Sequence, residues 1–193
     1  MNYSGVIILK QTTRKYLLLF SIAGLIIITD QITKAIVRAN LVYGEAWMPW
    51  TWLAPFARIL HVKNIGAAFG LFQSGGTVLG VLAFVVAMVI IYYFPQIPNN
   101  EKLLQVALSM QLGGAVGNLI DRLTIGHVTD FISVGTFPVF NVADANITVG
   151  VGVLLLGMWI SERKALKAAR LPDDGVDADS LQASENDTRE LDA

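Results

Sequence analysis

Four long apolar runs dominate the chain, at residues 16 to about 37, 75–94, 103–120 and about 145–161. Each approaches the roughly 20 residues that a helix needs to cross about 30 Å of hydrocarbon, so the pattern predicts four membrane helices. The second run is the cleanest, since no charged residue occurs between Lys63 and Glu101. The first carries Asp30 and Lys34 near its far end, and the third carries Gln105, Ser109, Gln111 and Asn118. Polar groups at that depth need protein or water partners. Residues 38–74 and 121–144 remain between the helices. The first of these segments holds Trp47, Trp50 and Trp52 with Pro49 and Pro55, the composition of an aromatic belt lying on a membrane surface. Short β-favouring runs at 59–62 and 137–140 predict a small sheet above the helices. The expected fold is a membrane all-α protein with a small β element. Gly66 with Gly70, Gly76 with Gly80, and Gly113 with Gly117 have the spacing that lets helix backbones approach closely.

Composition agrees with the membrane reading: 54% of the 193 residues are hydrophobic and only 15% are charged, beyond the usual soluble range. The net charge of −1 hides an uneven split, because eight of the 15 acidic residues lie between Asp173 and Asp192 beside a single basic residue, Arg189. Such a tail cannot bury enough apolar surface to offset its ordering entropy. The expected organisation is one membrane-embedded domain over 1–170 and a disordered acidic tail over 171–193. Basic residues near the helix ends (Lys10, Arg14, Lys15, Lys102, Arg163, Lys164, Lys167, Arg170) place both termini in the cytoplasm. The first run is preceded by basic residues like a secretory signal, but no A-x-A cleavage pattern follows it. Without cysteine, disulfides, thiolate metal sites and a Cys nucleophile are excluded. Two histidines without an HExxH pattern argue against a zinc peptidase. No metal or cofactor is expected, and no basic, aromatic-interleaved patch suggests nucleic acid.

Outside the tail, Asp30, Asp121, Asp130 and Asp144 fall at the outer ends of spans or in the second outer segment, where carboxylates are costly. Three have structural explanations. Asp144 stands where it could cap the fourth helix, Asp121 adjoins Arg122, and Asp30 and Lys34 are spaced to pair along a helix. Asp130, in His127-Val-Thr-Asp-Phe-Ile, has apolar flanks and no adjacent cation. Two carboxylates in a poorly hydrated site do not both ionise, so one can act as base toward water while the other holds a proton. By spacing alone any two of the four could form such a pair.

Five blocks carry a more specific signal: Asp30-Gln-Ile-Thr-Lys34, Asn64-Ile-Gly-Ala-Ala-Phe69, Gly113-Gly-Ala-Val-Gly-Asn-Leu-Ile-Asp-Arg122, Val128-Thr-Asp-Phe-Ile132 and Phe140-Asn-Val-Ala-Asp144. In this order, over most of 16–161, the chain resembles the lipoprotein signal peptidases (signal peptidase II) of bacteria. The resemblance implies four membrane helices with an extracytoplasmic β-cradle, in a multi-pass protein of the cytoplasmic (inner) membrane. It implies an aspartic endopeptidase that cuts diacylglyceryl-modified prolipoproteins before the lipidated Cys near the outer membrane face. It places the catalytic pair on Asp130 and Asp144, and supporting or substrate-binding roles on Asp30, Lys34, Asn64, Asn118, Arg122 and Asn141. A monomer is expected, with membrane lipid as its surroundings. The family often has Ser after the second catalytic Asp, where this chain has Ala145 and then Asn146, so a supporting hydrogen bond is expected to differ there.

Three rival readings remain at this stage. Intramembrane carboxylates also mark proton-relaying transporters, although no inverted repeat is visible in four spans. A non-catalytic assembly factor would present the outer segments to a partner. A Ser-Lys peptidase would need Ser133 beside Lys34 or Lys63.

Overall fold

The computed structural model describes residues 3–66 and 76–170, with side chains over 9–66 and 76–167. All four apolar runs are helices: α1 (Tyr3–Asn40), α2 (Gly76–Tyr93), α3 (Lys102–Ile125) and α4 (Val142–Arg170). Each contains a stretch long and apolar enough to cross a membrane. Two compact units divide the chain, Met1–Met158 and Trp159–Ala193. In the second, Arg163 stacks 4.7 Å above the ring of Trp159. The acidic tail and Gly70 lie outside the described residues.

The helix ends depart from the expected bounds. α1 starts at Tyr3 and not at 16, so Lys10, Arg14 and Lys15 lie on the helix rather than before it. Its 38 residues measure about 57 Å at about 1.5 Å each, well beyond the hydrocarbon thickness. Lys15 uses this position to donate to the carbonyls of Pro95 (2.8 Å) and Ile97 (2.5 Å), holding the turn after α2 against α1. Hydrophobicity marks the buried length of such a helix and not its ends. α3 likewise continues to Ile125, where Gly126 at φ +77° terminates it in the left-handed conformation. Asp121 and Arg122 are therefore helical, and not in the outer segment.

α3 is the central helix. Half of its membrane window is buried, against 22% for α1, 22% for α2 and 17% for α4. Leu112 of α3 joins Leu19 and Ala23 of α1 and Ala87 and Ile90 of α2 in one apolar core, with Phe94. Glycines admit the neighbours. A Cβ at Gly113 would stand 2.9 Å from Ile26 Cβ of α1, and one at Gly114 would stand 2.5 Å from the Ala143 carbonyl oxygen of α4. Gly150 and Gly157 repeat the arrangement from α4, facing Ala107 and Leu104 of α3. Ala143, Gly150 and Gly157 are seven residues apart, so one face of α4 is small where it meets α3. The expected close approach is found at Gly113 and Gly117; at Gly80 an added Cβ would make only ordinary contacts of 3.8 Å.

These contacts make a prediction. Gly114→Ala must push α4 away from α3 and should lower stability by about 1–3 kcal/mol, the usual cost of overpacking. Gly152→Ala, with nothing within 4 Å of the added Cβ, should be neutral or slightly stabilising because Ala is the better helix former. Thermal unfolding of both variants in detergent separates the two cases.

A three-stranded antiparallel sheet of β1 (Ala46–Trp47), β2 (Ala57–Asn64) and β3 (Val128–Val134), in the order β1-β2-β3, lies between the helices in sequence. The expected strand at 59–62 is the middle of β2. The one at 137–140 is not a strand: only Phe140 forms an isolated bridge, to Ile132. The strand is instead Val128–Val134, whose nearly continuous burial hides the period-2 alternation that a half-exposed strand displays. β2 pairs with β3 as Ile59 with Ile132 but as Val62 with Asp130, a one-residue slip between the two pairs. Such a bulge moves the following side chains to the opposite face. It places Asn64 diagonally beside Asp130 on a shared face.

Candidate active site

At the end of the helices where α1 and α3 finish and α4 begins, six polar residues from α1, β2, α3, β3 and the start of α4 form one hydrogen-bonded network. Asp130 of β3 is 2% exposed. Its Oδ2 accepts from Asn64 Nδ2 (2.9 Å) and its Oδ1 from Asn141 Nδ2 (2.7 Å). Asp144, in the first turn of α4, accepts from Asn118 Nδ2 at Oδ1 (2.7 Å) and from the Asn141 backbone N–H at Oδ2 (3.3 Å). Asn141 returns a bond, its Oδ1 accepting from the Asp144 N–H (2.9 Å). The reciprocal pair is a capping box with Asn141, not Asp144, as the cap. The sequence pattern alone placed Asp144 one turn too early, because the apolar run begins after it.

The orientation of the Asn118 and Asn141 amides follows from Lys34, which can only donate. Its Nζ lies 2.9 Å from Asn118 Oδ1. That oxygen also accepts from Asn141 Nδ2 (3.1 Å), which leaves the Asn118 amide nitrogen to face Asp144. Asn141 is then bound to present Nδ2 to Asp130 and Oδ1 to the helix. One cation thus sets two amides, and the two amides hold both carboxylates.

Lys34 is itself fully buried. Asp30 Oδ2 lies 2.8 Å from its Nζ and Asp121 Oδ2 3.3 Å. Asp30 Oδ1 accepts from the Ala143 N–H (2.9 Å), one of the free donors at the start of α4. A Cβ at Gly117 would stand 2.8 Å from Asp30 Oδ2, so glycine there lets Asp30 reach across α3. Asp121 does not pair with its neighbour Arg122. It takes Lys34, Arg38 (3.6 Å), Gln31 (3.2 Å) and the Thr129 backbone N–H (3.0 Å). Asp121 stands among the four candidate carboxylates with Arg122 as its expected partner, while Arg38 and Gln31 were absent from the expected site. A signal existed: Asp30, Lys34 and Arg38 recur every four residues on one face of α1, and two cations there require a second carboxylate.

Asp130 is pushed up to about 6, chiefly by burial and then by the nearby Asp144, while the Asn64 and Asn141 hydrogen bonds and Lys34 oppose the shift. Both carboxylates line a cavity of about 480 Å³ with Asn64, Arg122, Phe140 and Ala145. Ala145 presents no hydroxyl to it, and Asn146 turns back to the Val142 carbonyl (2.9 Å). Ser133 stands opposite Arg58 in the sheet, and Lys34 is engaged by two carboxylates, so the Ser-Lys arrangement is not formed by that pair. Among the described residues, no group of three or more His, Asp or Glu side chains is placed to hold a metal ion.

Four apolar helices with a carboxylate-lined cavity at one end define a polytopic membrane protein, and its structural neighbours are enzymes. A bacterial membrane enzyme solved by the in meso method at 2.3 Å superposes with a TM-score of 0.69 at 30% identity, covering 75% of this chain and 88% of that one. A second, solved at 1.9 Å, gives 0.65 at 30% identity over 72% and 91%. The family model described as signal peptidase (SPase) II matches residues 22–160. The lipoprotein signal peptidase of Dehalococcoides mccartyi strain BAV1 is 45% identical over 137 residues, covering 67% of this chain and 82% of the relative. That of Shouchella clausii strain KSM-K16 is 37% identical over 155 residues, covering 78% and 99%. The chain belongs to the signal peptidase II family, and is a multi-pass membrane protease of lipoprotein precursors.

Proposed function

We propose that this protease is an aspartic endopeptidase whose catalytic pair is Asp130 and Asp144, removing the signal peptide from diacylglyceryl-modified prolipoproteins by cutting before the lipidated Cys. The observation that carries this reading is the convergence of the two carboxylates, from β3 and α4, on one cavity and one amide network. Asp130, pushed toward neutrality, holds the shared proton. Asp144, ionised, takes a proton from water as the oxygen attacks the scissile carbonyl. The Asp130 proton is donated to the carbonyl oxygen as it gains charge; the C–N bond then breaks as the proton held by Asp144 passes to the leaving amine and a hydroxyl of the intermediate returns its proton to Asp130, which restores the pair. Asn64 and Asn141 keep Asp130 in place through the cycle, Asn118 keeps Asp144, and Asp30, Lys34 and Arg122 orient the network and the substrate.

The basic helix ends support a topology with both termini in the cytoplasm and the cavity near the outer face. There the exposed Trp47, Trp50 and Trp52 would rest at the membrane surface as an interfacial segment. Residues 1–170 would form the peptidase domain, working as a monomer, with 171–193 as a cytoplasmic tail. The test is incubation of purified protein with a dipalmitoylglyceryl-modified precursor in detergent, followed by mass spectrometry. Release of a product beginning at the modified Cys is expected. Cleavage at any other bond, or none by folded protein, contradicts the substrate reading.

The pair titrates as a unit, and activity requires one proton on it. Ionisation of Asp130 removes that proton, so kcat/KM should fall on the alkaline side through an apparent pKa of about 6 or higher. Asn64 stabilises the carboxylate form, so Asn64→Ala raises the Asp130 value and should move this limb to higher pH. A pH profile of kcat/KM for both proteins checks the sign; a downward move contradicts it.

A further inference from the structure

Beside the catalytic cavity, a second groove of about 360 Å³ runs between α2 and α3, lined by Gly76, Gly80, Phe84, Leu119 and Leu123, with Arg122 at its edge. Arg122 lines both spaces. Its one hydrogen bond among the described residues is a long one, Nη1 to the Asn118 carbonyl (3.4 Å), so most of its five donors have no partner among those residues. An added Cβ at Gly80 would stand at ordinary contact, 3.8 Å from Leu119 Cδ1 and Arg122 Cδ, so a longer side chain there would enter the groove. Phe84 and Val81 are more than half exposed, so the groove is open along the lipid-facing side of α2.

Given the lipid-modified substrate proposed above, we infer that this groove takes one acyl chain of the substrate's diacylglyceryl group, with Arg122 donating to the ester carbonyl of that chain. A guanidinium above an apolar slot matches a neutral carbonyl followed by methylenes. Charge selects among lipids. Asp144 acts on Arg122 electrostatically ahead of Asp130 and Asp121, so a phosphate brought to the same donors would meet the ionised Asp144. A neutral glyceride ester does not meet that repulsion, which favours the substrate lipid over a membrane phospholipid. The lipid would then be read on the opposite side of Arg122 from the scissile bond, which fixes the distance between the modified Cys and the catalytic pair.

The experiment compares cleavage of one precursor peptide carrying dipalmitoyl or dibutyryl glyceryl groups, by wild type, Gly80→Leu and Val81→Trp. Wild type is expected to prefer the long chains in kcat/KM. Either substitution fills the groove and should lower the long-to-short ratio by at least about tenfold, equivalent to roughly two methylenes leaving an apolar site. The ratio divides out any general loss of activity, and Val81→Trp adds bulk from the surface if Gly80→Leu does not fold. An unchanged ratio in the folded variants overturns the assignment. So does a photoreactive acyl terminus on the substrate that labels 145–149 and not 80–84 or 119–123, or labelling of the groove by photoreactive phosphatidylethanolamine that substrate does not displace. Loss of the Asp130 and Asp144 assignment would leave the chain-length ratio standing, so the two can fail separately.

Discussion

Lys34→Met is expected to be among the most damaging single substitutions in the membrane domain, lowering stability by about 3–5 kcal/mol. The ammonium is fully buried, and three groups depend on it: Asp30 at 2.8 Å, Asp121 at 3.3 Å and Asn118 at 2.9 Å. Methionine fits the volume but leaves two carboxylates without their shared cation. Removing one partner of a buried ion cluster costs far more than the intact cluster contributes, because the remaining charge stays buried and uncompensated. Against a total stability of about 5–15 kcal/mol, such a loss should show as a large drop in the detergent melting temperature. Activity should fall as well, since Asn118 would lose the group that fixes its amide. The double variant Lys34→Met, Asp30→Asn removes the stranded charge, since Asp121 keeps Arg38 (3.6 Å), and should recover part of the melting temperature. A Lys34→Met protein that melts with wild type would show that the cluster does not hold the helices together.

The helices were legible because length and hydrophobicity determine a membrane span almost by themselves. Their ends were not, since the ends depend on polar contacts: α1 extends where Lys15 finds the Pro95 and Ile97 carbonyls, and α4 starts at the cap provided by Asn141. β3 was missed because burial on both faces erased its alternation, while the apolar, mostly part-buried residues 137–140 imitated a strand. The polar network shows the same division. Asp30 and Lys34 could be paired from their i,i+4 spacing. No local spacing could join Asn64 to Asp130, because that contact requires a bulge in β2. Asp121 looked satisfied by its neighbour Arg122. On a helix adjacent residues point about 100° apart, and Asp121 turns inward to Lys34 while Arg122 faces the cavities. The family blocks marked the right stretches of chain without showing that two asparagines connect them.

The second large effect concerns the proposed catalytic pair. Asp130→Asn and Asp144→Asn are nearly isosteric and retain an acceptor for the amide network, so both proteins should fold and bind precursor. Neither retains the proton exchange between carboxylates, and each should lose at least about 10³-fold in kcat, the scale seen when a central catalytic group is removed. The two losses should not add in the double variant, since the residues act as one unit. The most direct measurement is therefore single-turnover cleavage of a dipalmitoylglyceryl-modified precursor by wild type, each single variant and the double variant, with precursor binding measured on the same preparations. The account predicts retained binding, the loss of cleavage in each single variant, and no further loss in the double. Cleavage within about tenfold of wild type by either folded single variant would remove that residue from the chemistry.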